Sequence, residues 1–165
     1  MNTAVTSEQV MHWLDEVPDP EIPVLTITDL GIVREVRVDE SGGAVTVALA
    51  PTYSGCPATE AIEQSVVDAL GEHGLDDVAI ERRLSPPWTT DWISDEGREK
   101  LKAYGIAPPA EGAGKRALLR GGRAIACPRC DSLATSLVSE FGSTACKASY
   151  RCDECLEPFE YFKCI

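Results

Sequence analysis

The sequence predicts an α+β protein in two parts, a small α-β-β-α-β domain followed by a C-terminal β zinc ribbon. Three observations predict it. Helix-period and strand-like runs follow one another in that order within the first 85 residues. Two Cys-x-x-Cys pairs bracket a short β-rich segment near the other end. Between them residues 108–122 have the Pro, Gly, Ala and Lys/Arg composition of a linker. The expected division is therefore an α/β domain over 1–85, a helix and basic linker over 86–122, and a ribbon over 123–165. The chain's 165 residues, 44% of them hydrophobic, suit two modest cores better than one large one.

Thr6-Ser-Glu-Gln9 has the form of a capping box, and Val10, Trp13, Leu14 and Val17 then recur on one helical face until Pro18 stops them. Residues 19–23, Asp-Pro-Glu-Ile-Pro, hold too many prolines for a helix or central strand and read as an ordered loop carrying two carboxylates. Residues 32–38 and 44–50 are β-branched runs joined by Asp39-Glu-Ser-Gly-Gly43, which predicts a hairpin. After the loop 51–57, Ile62, Val66, Ala69 and Leu70 space as a second helix closed by Gly71 and Gly74. Residues 77–84 form a third strand, stopped by Pro86-Pro87. Residues 89–106 predict one more helix with Gly105 as its stop. In the last part, residues 132–141, 143–151 and 158–163 predict three short strands.

The cysteines decide the chemistry of that last part. Six of the seven lie in the final quarter, and Cys127, Cys130, Cys152 and Cys155 make two pairs separated by 21 residues, room for two strands and a reversal near Gly142. Each Cys-x-x-Cys turn offers two thiolates to one side of an ion, so two turns complete a tetrahedral shell. Zinc is the expected ion, and iron in a rubredoxin-like site uses the same donors. So small a β core needs the metal's binding energy to fold. Cys146 falls on a predicted strand and Cys164 at the end of one, where a small buried apolar side chain is the ordinary reading and an extra metal ligand the other.

Cys56 stands apart from the others. It precedes Pro57, a residue favoured at the first helical position, which predicts Cys56 at the N-cap of the second helix, where the dipole and unpaired N–H groups favour thiolate. Thr52 and Tyr53 share its loop, and Asp19 and Glu21 could reach it if the first loop crosses the same end of the sheet. The two histidines, His12 and His73, fall on the predicted helices as surface groups, so a Cys–His enzyme mechanism has no base.

Charge narrows the partners. Residues 1–85 carry 16 acidic and four basic side chains, whereas residues 86–165 carry 11 of each, so the whole excess of −12 is N-terminal and repels phosphate. Nucleic acid is therefore not expected as a partner of the first half, and the neutral second half is left open by charge alone. No N-terminal stretch pairs a basic start with an apolar run and no window approaches a membrane span, so neither secretion nor insertion is expected and the cytoplasm is the expected compartment. Lys115, Arg116, Arg120, Arg123 and Arg129 are either a solvated basic linker or a dock for an acidic surface. The two histidines and the lack of any Glu-x-x-His pair exclude a di-iron carboxylate centre, and no flavin or nucleotide fingerprint occurs.

Three stretches, Asp19-Pro-Glu-Ile-Pro-Val24, Asp29-Leu-Gly-Ile-Val33 and Val45-Thr-Val-Ala-Leu-Ala-Pro-Thr-Tyr-Ser-Gly-Cys-Pro57, resemble the SufT-like family of metal–sulfur cluster assembly domains over residues 8–85. That resemblance implies functional roles for Asp19, Glu21 and Cys56, with Thr52 in the Thr-x-x-x-Cys-Pro loop. Trp88-Thr-Thr-Asp-Trp-Ile93, Phe141-Gly-Ser-Thr-Ala-Cys-Lys-Ala148 and Glu157-Pro-Phe-Glu-Tyr-Phe-Lys-Cys-Ile165 extend the likeness to nearly the whole chain. So extended, it resembles the accessory-subunit family of the bacterial phenylacetyl-CoA epoxidase system. The resemblance implies a non-catalytic maturation factor in aerobic phenylacetate degradation. Its cofactor would be structural zinc, its cargo transient iron or an iron–sulfur cluster, and its partners the oxygenase and reductase subunits. A structural adaptor is the alternative, and a homodimer in which two Cys56 thiols share a cluster is a further arrangement left open.

Overall fold

The computed structural model describes residues 5–109 and 124–163. Cys164 and the basic side chains Lys115, Arg116, Arg120 and Arg123 lie outside the described residues. The chain divides into two compact units, 1–88 and 89–165.

The first unit is a three-stranded sheet in the order β1-β2-β3, formed by β1 (Val33–Val38), β2 (Ala44–Leu49) and β3 (Asp77–Arg82). β1 and β2 are an antiparallel hairpin with a register shift between Val33 and Glu35, and β3 returns parallel to β2 through a helical crossover. The helices are α1 (Ser7–Leu14) and α2 (Thr59–Glu72). α1 packs on α2 and β1, and α2 packs on β3. The buried residues of the two helices and the alternate buried residues of β2 make up a core that includes Val10, Leu14, Val45, Val47, Ile62, Val66 and Leu70. Trp13 serves a different purpose from these core positions, stacking on His73 at 4.1 Å between ring centroids.

The expected capping box is present. Thr6 Oγ1 accepts from Gln9 N at 3.2 Å, and Gln9 Oε1 accepts from Thr6 N at 3.0 Å. Thr6→Ala removes one of these bonds and is expected to lower the unit's unfolding free energy by about 1 kcal/mol, measured by urea denaturation. At the hairpin, the Asp39 carboxylate accepts from the N–H groups of Gly43 and Ala44 and fixes the reversal.

Three tethers bring the loops to one end of the sheet. Ala50 N donates to Ile32 O at 2.8 Å, Arg83 N to Leu49 O at 2.7 Å, and the buried Trp88 indole to Leu30 O at 2.7 Å. The loop after α1 joins them, because Ile27 N donates to Val17 O at 3.0 Å. The residues after β2, which lead into α2, therefore emerge among residues 27–32 and 83–88.

The second unit differs from the sequence expectation in its first part. Residues 89–106 are not one helix: Thr90–Trp92 form a 3₁₀ turn, and α3 (Asp95–Tyr104) starts only where Ser94 caps it by accepting from Gly97 N. Ser94 is a strong cap and Ile93 before it is extended, so the helix begins at the cap rather than at the first apolar residue. Gly105 stops α3 at φ 94°, a left-handed conformation that suits glycine. The next two residues, Ile106–Ala107, are a strand, β4, which pairs parallel with the last strand. The remaining strands are β5 (Thr135–Ser139), β6 (Lys147–Cys152) and β7 (Pro158–Phe162), in the order β4-β7-β6-β5. β5 is shorter than expected and shifts register between Leu137 and Ser139.

Candidate functional site

Both Cys-x-x-Cys segments fold as the same turn. Asp131 N donates to Cys127 O, and Cys155 N points at Cys152 Sγ at 3.5 Å. The residue after each pair, Asp131 at φ 59° and Leu156 at φ 64°, takes the left-handed conformation that reverses the chain. Cys127 N then donates to Ser132 O, and Cys152 N to Glu157 O, closing each turn on itself.

The two turns bring four sulfurs together. Cys127 Sγ lies 3.7 Å from Cys155 Sγ and Cys130 Sγ lies 3.6 Å from Cys152 Sγ, with all four within 4.8 Å of one another. These distances are far longer than the roughly 2 Å of a disulfide. They match the edge of about 3.8 Å in a tetrahedron of sulfurs each about 2.3 Å from a central ion. The N–H of Cys155, helped by that of Glu154 and by the Cys130 thiol, draws the Cys152 thiol down to about 7. The Ser132 N–H acts the same way on Cys130, but burial and the thiols of Cys152, Cys155 and Cys127 outweigh it and push Cys130 up to about 12. Thiols so close cannot all ionise unless a cation sits among them. The donor set therefore fits a tetrahedral, thiolate-bound ion with no position left open. Cys127 and Cys152 are fully buried in a cluster with Ala107 and Phe159, against which Ile125, Tyr150 and Tyr161 pack. Cys146 stands outside the four-sulfur group. It lies in the turn before β6, buried, with its sulfur 3.0 Å from Thr144 Oγ1.

Cys56 occupies the loop between β2 and α2. The N-cap expectation is corrected here: α2 starts at Thr59 with Ala58 as its cap residue, and no side chain caps it. Cys56 instead starts a tight turn, its carbonyl accepting from Thr59 N at 3.2 Å, so Pro57 falls in that turn and the helix begins after it, at Thr59. Cys56 is 9% exposed and lines an open depression of about 570 Å³ together with Pro51, Ser54, Pro57, Thr59, Glu60, Arg82 and Leu84.

Asp19, Glu21 and Thr52 are not among the lining residues. Asp19 is 5% exposed and its Oδ1 accepts from Glu21 N at 2.9 Å and Ile22 N at 2.7 Å, so its carboxylate organises its own loop. Glu21 is half-buried in that loop, and Thr52 is half-buried in the loop of Cys56. Asp29 has a matching task in the next loop, where it accepts from Thr26 N at 3.0 Å.

The chain is 52% identical over 157 residues to a protein of Escherichia coli (strain K12) named as a putative 1,2-phenylacetyl-CoA epoxidase subunit, a match that spans 95% of this chain and 92% of that one. Residues 111–163 also match the model of the PaaD zinc beta ribbon domain. The chain belongs to the PaaD family. In this PaaD-family chain, residues 7–81 match the model of the iron–sulfur cluster assembly protein family. The same part is 38% identical over 79 residues to the Fe-S protein maturation auxiliary factor SufT of Staphylococcus aureus (strain USA300), covering 47% of this chain and 88% of SufT. Two solved structures share its fold. A domain of unknown function from Bacillus anthracis is 25% identical with a TM-score of 0.54, over 58% of this chain and 90% of that one. A conserved hypothetical protein from Thermotoga maritima is 32% identical with a TM-score of 0.52, over 61% of this chain and 98% of that one.

Sequence reasoning missed two groups at the thiol. Glu60 lies in the first turn of α2 while Cys56 lies before the helix, so no helical spacing in the sequence links the two. Arg82 carries no local signal, because only the pairing of β3 with β2 brings the end of β3 to this loop. Among the described residues no helix is long and apolar enough to cross a membrane.

Proposed function

We propose that the protein is an accessory maturation factor of a phenylacetyl-CoA epoxidase, which holds iron or an iron–sulfur cluster at Cys56 and passes it to the oxygenase or its reductase. The reading is carried by one observation. The domain that matches iron–sulfur assembly proteins has a single cysteine, Cys56, and that thiol borders an open depression, whereas the four ribbon thiols form a closed set. The closed set suits structural zinc, which offers no position for exchange. The open one suits a ligand that must arrive and leave.

The transfer needs no redox change. The Cys56 thiol loses its proton to solvent as its sulfur bonds to incoming iron, and that bond breaks when a client ligand displaces it. Asp19 and Glu21 contribute the ordered loop at the same end of the sheet, and Thr52 the loop that presents the thiol. The epoxidation itself falls to the partner subunits, and the work is done in the cytoplasm beside them. The test is to produce the oxygenase and reductase with either the wild-type protein or Cys56→Ala, and to measure iron per client subunit and phenylacetyl-CoA turnover. Both are expected to fall several-fold with Cys56→Ala while zinc stays at one per chain. Client iron and turnover at wild-type levels would favour a structural adaptor instead.

A further inference from the structure

The two sheets have four outer edges, and three of them are guarded against further pairing. β1 carries Arg34, Glu35 and Arg37, β3 carries Asp77, Glu81 and Arg82, and β4 is only two residues long. Charged side chains and short edge strands both discourage another strand from adding. β5 ends the second sheet without either device: Thr135-Ser-Leu-Val-Ser139 has no charge and no proline, and among the described residues no strand pairs with its outer side. Its register shift between Leu137 and Ser139 shortens the straight run without charging it. The same edge is apolar. Of the seven large apolar side chains exposed among the described residues, Leu133, Leu137, Val138 and Phe141 gather on and beside β5, each between 51% and 66% exposed.

Symmetry and charge select what covers this edge. Leu137 is the midpoint of β5, and Leu133 and Phe141 stand four residues to either side of it. A two-fold contact has to be complementary to itself. A second copy running antiparallel about an axis at Leu137 meets that condition, since it sets Leu137 on its own counterpart and Leu133 beside the copy's Phe141. Thr135 then faces Ser139, a favourable hydroxyl pair across strands, and Glu140, the sole charged residue from 133 to 141, faces Ala134. Each end of the edge holds one acid and one base. At one end are Glu140, whose carbonyl accepts from Lys163 Nζ at 2.9 Å, and Lys163 itself; at the other are Arg151 and Asp153, paired at 3.4 Å, with Asp153 N donating to Ala134 O. The net charge favours the same half of the chain: residues 1–85 carry −12 and repel their own kind, whereas residues 86–165 sum to zero.

We propose that β5 is the seam of a homodimer, in which two ribbons join edge to edge and the four strands of each copy become one continuous sheet. A few backbone rungs and the apolar pairs around Leu137 make a small contact, which belongs with weak, concentration-dependent interfaces. The seam lies wholly in the second unit, so this dimer differs from one held by a cluster shared between two Cys56 thiols.

The test is sedimentation equilibrium of the full, zinc-loaded chain over a wide range of concentration, with amide hydrogen exchange read at both ends of that range. The wild type is expected to pass from monomer to a species of twice the mass, and the β5 amides to gain protection in step. Val138→Lys and Leu137→Lys, both at exposed positions, should keep zinc at one per chain and stay monomeric, while Cys56→Ala should dimerise as the wild type does. A wild type that remains monomeric throughout overturns the proposal, and β5 amides that become protected only when the oxygenase is added would assign the edge to a client strand. A dimer that survives both lysine variants would place the seam elsewhere, and one lost in Cys56→Ala would assign it to a shared cluster.

Discussion

Removing the ribbon's metal, by chelation or through Cys152→Ser, is expected to unfold the second unit and leave the first one folded. One of its apolar clusters is built from Ala107, Phe159 and the cysteines Cys127 and Cys152 themselves, with half-buried neighbours, so the buried thiols become part of the damage once the ion leaves. Structural zinc binding is worth about 10–16 kcal/mol at neutral pH in small ribbons and fingers, more than a core of this size supplies. The loss should spread beyond the strands. β4 pairs with β7, and Lys102 on α3 reaches Asp131 of the first turn at 2.6 Å, so α3 and β4 lean on the metal-bound framework. The expected result in hydrogen exchange is loss of amide protection from α3 through β7, with Val45 and Val47 in β2 still protected. Protection persisting across β6 in metal-free protein would contradict the structural role of the four thiolates.

Glu160→Ala is expected to cost the second unit about 3–5 kcal/mol, because it leaves a buried ammonium without its counter-charge. Lys147 is 4% exposed and its Nζ lies 3.0 Å from Glu160 Oε2. Glu160 also accepts from Ser143 N at 2.6 Å and from the Ser143 hydroxyl, which pins the turn after Gly142. That turn has no slack: a Cβ added to Gly142 would fall 2.5 Å from Glu160 Oε1. Burial raises the Glu160 carboxyl, but the Ser143 N–H, Lys147 and the Ser143 hydroxyl outweigh it and hold it below its ordinary value of 4.5. A depressed carboxyl stabilises the fold above its unfolded pKa, and that stability is lost as pH falls through the folded one. The Glu160 contribution to stability should therefore be present at neutral pH and be lost as pH falls below about 4.5, and that component of the pH dependence should be missing in Glu160→Ala. Denaturant midpoints between pH 3 and 7 measure both effects. Lys147→Met with Glu160→Leu should recover part of the loss, since an apolar pair leaves no uncompensated charge.

The helices of the first unit and the grouping of the four ribbon cysteines were legible in the sequence because both depend on short-range spacing. Thr6 to Gln9 spells a cap, Val10 and Leu14 a face, and two Cys-x-x-Cys pairs a tetrahedron. Long-range placement was not legible. The strand-helix-strand order is compatible with β3 lying parallel to β2, but no local pattern sets its register or marks Arg82 as a neighbour of the Cys56 loop, so that placement had to come from the fold. The end of a helix is likewise a competition: Pro57 is compatible with the first helical position, but the tight turn from Cys56 to Thr59 wins and shifts the start of α2 past it. Residues 89–106 carry helix-compatible composition throughout, and the stronger cap at Ser94 overrides it. β4 is two residues long and is a strand only because β7 offers it an edge, which no local pattern announces.

The role of Cys56 as the transfer thiol is tested most directly by anaerobic handover in a purified system. The protein, zinc-loaded in the ribbon and supplied with Fe(II) and sulfide, is mixed with metal-free oxygenase or reductase, separated again, and the client's iron is counted. Wild-type protein should raise client iron well above what free Fe(II) and sulfide achieve at the same concentration, and Cys56→Ala should fall back to that background. Equal delivery by wild type and Cys56→Ala would contradict the account.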